Sequence, residues 1–347
     1  MATLADVARQ AGVGLGTASR AISGRGSVAP ETRARVQAAA QALGFEPSKV
    51  ARALSRRTSD MIGVFVPSFS GDFYGPILET VDAELRAADR HMVAANGCGG
   101  GDDRRLTLDG IRFLQARQCD GLIVISNALE EADQLALWAE LPNLVVLNRR
   151  HPAHAQQCFA TDHHIAGRLA ARALLANGHR EIACIAGPRS APDNRDRMAG
   201  FHAELAAHGV RVDPAHRADG DFHFEGGHAA AMALLERGAL LRCTALFCAN
   251  DLMAMAALSV LAHAGRRVPQ DMSVLGYDDS ALSAYTDPAL TTVRVPIRAA
   301  AQAGCRYLVN QCYGLDLPVP RDFPPQLVWR ESVGPGPHPP LHPENPL

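Results

Sequence analysis

"TLADVARQAGVGLGTASRAISG", residues 3–24, decides how the rest of this chain is read. Its first half carries both a helix start and a helix stop. Thr3 can cap, Asp6 stands three residues on as a capping box requires, and Gly12 suits a left-handed exit. Leu4, Val7, Ala8 and Ala11 recur at helical spacing. A second stripe of Leu15, Ala18, Ala21 and Ile22 predicts a short helix ending at Ser23 and Gly24. "PETRARVQAAAQALG" (30–44) predicts a third, with Pro30 at its first position, Val36, Ala40 and Leu43 on one face, and Gly44 as its stop. Three short helices with a tight turn between the first two describe a helix-turn-helix. Gly14 and Gly16 fall where the second helix begins, although glycine inside a helix costs ~1 kcal/mol relative to alanine. Either they are merely tolerated, or that surface is kept bare so that something can approach it closely.

Charge separates this head from the remainder of the chain. The 347 residues have a formal net charge of -2, yet residues 1–60 carry nine Lys/Arg against four Asp/Glu. A basic head on an acidic body fits a polyanion-binding module joined to a separate domain. No apolar run approaches the ~20 residues a membrane span needs. The N-terminus has no apolar signal segment, so the expected location is cytoplasmic. Eight cysteines lack any C-x-x-C spacing and read as buried thiols, neither disulfides nor metal ligands.

Beyond residue 60 the pattern changes to β-type runs alternating with helix-length segments. Candidate strands are "MIGVFV" (61–66), "HMVAAN" (91–96), "GLIVI" (121–125), "LVVLN" (144–148), "IACIAG" (182–187), "ALFCAN" (245–250) and "MSVLGY" (272–277). This βαβα rhythm predicts parallel sheets covered by helices on both faces, in two units. Ligands of such sheets sit beyond the carboxyl ends of the strands. There the chain places Phe73, Tyr74, Ser126, Asn148, Arg149, Asn250 and Asp278, with Asp162 opening the second unit, Arg197 starting a helix and Phe222 in a loop. Each has a plainer reading. Asn250 and Asp251 can cap a helix, Asp278 can serve a turn, and Arg197 can pair with a structural carboxylate.

The stretch 3–24, continued through "TRARVQAAAQALGFEPSKVARAL", resembles the DNA-binding region of the lactose/galactose-repressor family of bacterial transcription regulators. The likeness runs on through "DGLIVIS", "NGHREIACIAGP", "FCANDLMAMAAL" and "RVPQDMSVLGYDD", covering residues 2 to about 332. It implies an all-α helix-turn-helix head (1–47), a hinge helix (48–60) and an α/β body like the periplasmic binding proteins (61–332). The body would comprise two doubly wound parallel-sheet subdomains, about 61–159 with 291–320 and about 160–290 with 321–332. The Pro-rich tail, 333–347, is expected to be disordered.

The resemblance also implies roles. The second helix would enter the major groove of operator DNA, with Leu15, Gly16 and Arg20 facing base edges. Arg20 could pair bidentately with a guanine. Thr17, Ser19, Arg52, Arg56 and Arg57 would meet phosphates, Thr3 and Lys49 would also belong to the DNA-binding set, and Leu54 would wedge into the minor groove from the hinge. Ala29 departs from the family's usual capping serine before the third helix, a loss of ~0.5–2 kcal/mol. In the body the ten strand-end residues would contact a small effector, with Arg197, Asn250 and Asp278 the firmest transfers. Asp, Asn and Arg suit paired sugar hydroxyls, and Phe222 suits an apolar ring face.

The pattern lies closer to the galactose-type branch than to the purine-binding relative, which has Arg and Thr where Ala191 and Asp193 stand here. The expected protein is therefore a dimeric repressor of carbohydrate genes released by a sugar. A corepressed regulator with a nucleoside or phosphorylated effector is the alternative. "TDHH" (161–164) is similar to a phosphoesterase motif but lacks the further Asp and His sets. "GCGGGDD" (97–103) lacks a P-loop lysine. No catalytic, metal or cofactor constellation emerges. A transport protein would need an export signal and no basic head.

Overall fold

The computed structural model describes residues 2–23, 27–45, 58–69, 71–97 and 103–340. They divide into two units, one ending at Met61 and the other beginning at Ile62.

The first unit contains α1 (Leu4–Ala11), α2 (Leu15–Ser23) and α3 (Pro30–Ala42). Thr3 Oγ1 accepts from the Asp6 amide at 3.3 Å, and Asp6 Oδ2 accepts from the Thr3 amide at 3.0 Å, closing the capping box. Gly12 leaves the helix at φ +63°. Val7, Ala8, Ala11, Ala18, Ala21, Val36, Ala39 and Ala40 make its core. Side chains this small bury little apolar area, so each cap counts. Ala29 forms no side-chain cap before α3.

The body begins with β1 (Met61–Val66), α4 (Tyr74–Ala87), β2 (His91–Asn96) and α5 (Asp103–Ala116). It continues through β3 (Gly121–Val124), α6 (Glu131–Glu140), β4 (Leu144–Leu147) and β5 (Cys158–Phe159). The strands lie in the order β2-β1-β3-β4-β5. Successive side chains point to opposite faces. Ile62, Val64, Ile123 and Val145 pack with Ile77 and Val81 of α4. Phe65, Leu122, Val124 and Val146 turn toward Ile111 and Leu114 of α5 and Trp138 of α6.

A second sheet is built from α7 (His163–Ala176), β6 (Ile182–Ala186), α8 (Pro192–Ala207), β7 (Arg217–Asp219) and α9 (Phe224–Glu236). Next come β8 (Ala245–Cys248), α10 (Asp251–His263), β9 (Ser273–Asp278), β10 (Thr291–Arg294), α11 (Ile297–Tyr313) and β11 (Gln326–Val328). Its order is β11-β10-β9-β8-β6-β7, parallel except where β11 runs antiparallel to β10.

Three expectations need correction. The chain does not return to the first sheet at 291, because Thr291–Arg294 pair with Leu275–Asp278 in the second. It crosses after Val295, and α11 then places Ala300, Ala301, Cys305 and Leu308 in the first core. The last crossing is also later than 321, since Phe323 still packs against the first core before β11 begins. Of the tail expected to be disordered over 333–347, residues 333–340 are held in place, and 341–347 lie outside the described residues. Val333 packs on the second core, the Gly336 amide donates to Asn177 O, and His338 lies 3.1 Å from Glu181. Backbone bonds hold this segment, and composition does not register them.

Candidate DNA interface and ligand cleft

On α2, Ala18 and Ala21 face the core and leave Leu15, Gly16, Ser19 and Arg20 on the exposed side, with Thr17 between. Leu15 is 55% exposed although apolar. A Cβ on Gly14 or Gly16 would meet nothing within 4 Å, so no internal packing demands glycine there. Arg20 Nε donates to its own helix at Gly16 O, 3.2 Å away. Thr3, its hydroxyl bonded to Asp6 at 2.7 Å, is engaged in the cap. Lys49, Arg52, Leu54, Arg56 and Arg57 lie outside the described residues.

The body site starts from a helix crossing. Gly167 of α7 lies against the Arg197 carbonyl of α8, and Gly200 of α8 against the His164 carbonyl, where any Cβ would collide with backbone. Two glycines thus let the helices approach backbone to backbone. His163, at the start of α7, and Arg197 come together as a result.

Arg197 is fully enclosed. Its guanidinium donates to Ala249 O, lies 3.5 Å from the Asp193 carboxylate, and sits 3.7 Å over the Tyr277 ring and 5.6 Å from the Phe222 ring. Asp193 also accepts from Asn148 Nδ2 at 3.3 Å. Asn148 Oδ1 is 3.0 Å from His163 Nε2, and His163 Nδ1 is 2.7 Å from the Tyr277 hydroxyl. Asn250 caps α10 through Met253 N and donates to Phe222 O at 2.9 Å. Asn148, Phe222 and Asp278 all have positive φ, of 61°, 71° and 110°. Non-glycine residues hold such backbone only where their surroundings enforce it.

Electrostatics reflect this enclosure. Loss of water pushes the Asp278 carboxyl well above the usual carboxylate range, against the pull of Arg197. No side-chain or amide hydrogen bond from a described residue reaches that carboxylate. Burial, followed by the Arg197 charge, depresses His163 to about 4. Its ring is therefore neutral near pH 7.

The expected residues thus fall into two sets. Asn148, Arg197, Phe222, Asn250 and Asp278 share one constellation. Asn148, Arg149 and Asp162 also line a cavity of about 300 Å³ with His163, Asp193 and Asp196. Asp162 caps α7 and pairs with Arg150 at 2.6 Å, while Arg149 turns to Leu129 O at 2.6 Å. Phe73 and Tyr74 meet edge to face and pack on the first core. Ser126 bonds Thr107 at 3.2 Å. The plainer roles of Asn250 as a cap and Arg197 as a carboxylate partner are both realised here. His163, Asp193 and Tyr277 join the constellation without having been expected as contacts. The motif carrying His163 points only to a phosphoesterase, and Tyr277 reads as an ordinary strand residue. A cavity of about 400 Å³, lined by Ala262, Arg266 and Asp287, lies at the opposite strand ends, away from these groups.

Among the described residues, no three His, Cys, Asp or Glu are grouped to hold a metal ion, and no helix is long and apolar enough to cross a membrane. The seven described cysteines are free.

A helix-turn-helix unit joined to a two-sheet body with polar groups at the strand ends defines a ligand-responsive DNA-binding regulator. Residues 3–48 match the model for bacterial regulatory proteins of the lacI family, and residues 171–333 match a periplasmic binding protein-like domain. The transcriptional regulator GalS of Salmonella typhimurium is 35% identical over 334 residues, covering 96% of this chain and 97% of its own. The lac repressor dimer bound to operator and the anti-inducer ONPF superposes with TM-score 0.83 at 29% identity, covering 96% of this chain and 99% of that one. The CelR–cellobiose complex gives TM-score 0.68 at 32% identity, covering 96% of this chain and all of that one. The chain belongs to the lacI family, on its galactose-repressor side. It is a DNA-binding transcriptional regulator and not an enzyme.

Proposed function

We propose that this regulator is a dimeric, cytoplasmic repressor of carbohydrate-utilisation genes, and that a small sugar in the body cleft releases it from its operator. The observation that carries the sugar reading is the Asp278 carboxylate. It stands at the carboxyl end of β9 without a donor from the described residues. Beside it, Arg197 donates to Ala249 O and pairs with Asp193 but keeps a buried Nε–H that none of those residues partners. A ligand bringing hydroxyl donors supplies what Asp278 lacks, and the Phe222 ring offers an apolar face. Likeness to a regulator complexed with cellobiose supports the same class.

The family's division of labour then falls on named residues. Arg20 reads a guanine, Leu15 and Gly16 fit the groove, and Thr17 and Ser19 meet phosphates, with Thr3 beside them. Lys49, Arg52 and Leu54 act from the hinge. The ten strand-end residues bind the effector, Asn148, Arg197, Phe222, Asn250 and Asp278 most directly. The body divides into a subdomain of 61–159 with α11, and a second one of 160–295 with β11. Two half-sites require a dimer.

Operator binding at fixed salt, using DNA upstream of the protein's own gene with and without mono- and disaccharides, tests the proposal. Specific binding released by one sugar is expected. Binding tightened by the sugar would replace induction with corepression, and binding unmoved by every sugar would overturn the effector class.

A further inference from the structure

Asn148 follows the last residue of β4 in the first sheet, yet both of its side-chain partners belong to the second subdomain. Its Nδ2 donates to Asp193, so its Oδ1 faces His163 and accepts. His163 Nε2 therefore carries the ring proton, and Nδ1 accepts from the Tyr277 hydroxyl. These contacts close on themselves. His163 leads to Tyr277, whose ring lies under Arg197, which pairs with Asp193, which returns to Asn148. Four members of this circuit come from the second subdomain and one from the first. Each member is at most 7% exposed and faces another member with a polar or charged group, so opening the circuit takes a partner from a buried polar atom.

We infer that His163 is a positioning residue coupling the two subdomains to the ligand cleft, holding Asn148 across the boundary in the neutral Nε2–H form. The inference rests on the reading of the body as a ligand-controlled switch. A ligand that touches Asp278, Arg197 or Asn148 bears directly on members of the circuit or their neighbours. A shift of one sheet against the other strains the two bonds that Asn148 makes across the boundary, to His163 and to Asp193. Loss of one such bond shifts a two-state balance by about tenfold. Linkage requires sugar affinity and operator affinity to move together.

The test uses the full-length chain with His163→Phe, His163→Gln and Tyr277→Phe, and galactose and cellobiose as probes. His163→Phe is expected to change operator affinity without sugar by about tenfold while leaving nonspecific DNA binding unchanged. The affinity of whichever probe binds should change by a similar factor. His163→Gln, which keeps a donor toward Asn148, is expected to restore most of the effect. Should His163→Phe not fold, Tyr277→Phe carries the same expectation, because its ring stays under Arg197 and only the hydroxyl is lost. Operator affinities of the folded variants within about twofold of the wild type would overturn the inference, whether or not sugar affinity fell. A wild type that ignores both probes counts against the sugar reading alone, since the sugar-free operator shift is still measured.

Discussion

The head and the body place their functional groups in opposite ways. On α2 the groups are exposed, close in sequence and held by little; Arg20 merely folds back on its own helix. In the body they are enclosed, far apart in sequence and committed to one another, with three of them on left-handed backbone. The head presents a surface to be completed by a rigid, charged partner that brings its own shape. The body must recognise a small molecule, so it assembles a polar interior beforehand and leaves only a few acceptors open. A substitution on the exposed face of α2 should therefore change recognition and leave stability alone, while one in the enclosed body site should change both.

The largest expected break of that contrast comes from Arg197→Met. It leaves Asp193 and the Ala249 carbonyl without their cation, and should cost about 3–5 kcal/mol in urea unfolding. The exposed counterpart, Arg20→Ala, should stay within about 0.5 kcal/mol in the same measurement.

Acid should sharpen the contrast next. His163 is depressed to about 4 in the folded chain from an ordinary value near 6.5. His163 thus binds fewer protons in the folded state in that window, and its contribution falls as pH drops from 6.5 toward 4. That contribution is at most about 3 kcal/mol. His202, also near 4 through burial, adds to the slope. The buried Asp251 and Asp278 carboxyls, both raised by burial, contribute in the opposite sense. Unfolding followed across that range should show less loss toward acid in His163→Gln, and an unchanged slope would remove His163 from the account.

Recognition effects are smaller. Selection from randomised operator fragments should show Arg20→Ala losing about 1–3 kcal/mol of discrimination at one base pair while keeping its preference elsewhere. Smallest is the missing cap. Ala29→Ser should stabilise α3 by about 1 kcal/mol, slowing its amide exchange roughly fivefold.

Legibility in the residues obeys the same division. The head's caps, turns and helix faces are local patterns, and Thr3, Asp6 and Gly12 stand as expected. Long apolar strands are legible too. The strands Cys158–Phe159, Arg217–Asp219 and Gln326–Val328 are too short to show a period of two. Thr291 and Thr292 look polar, yet both are fully buried, the latter donating to the buried Asp251 carboxylate. For the site, the strand-end rule finds Asn148 and Asp278, and the family resemblance adds Arg197, which lies inside α8. That rule cannot find the His163–Tyr277 bond, which joins residues 114 positions apart, from the start of α7 to β9.

The segment after Ser332 has a practical consequence for anyone shortening or tagging this protein. Gly334 O accepts from His179, the Gly334 amide donates to Ser273, and Gly336 lies flat against Gly178. A stop codon placed after 332 would strip two buried side chains of partners and uncover the end of α7, whose other end carries His163. The far margin of the chain thus closes the same helix whose first residue belongs to the cleft.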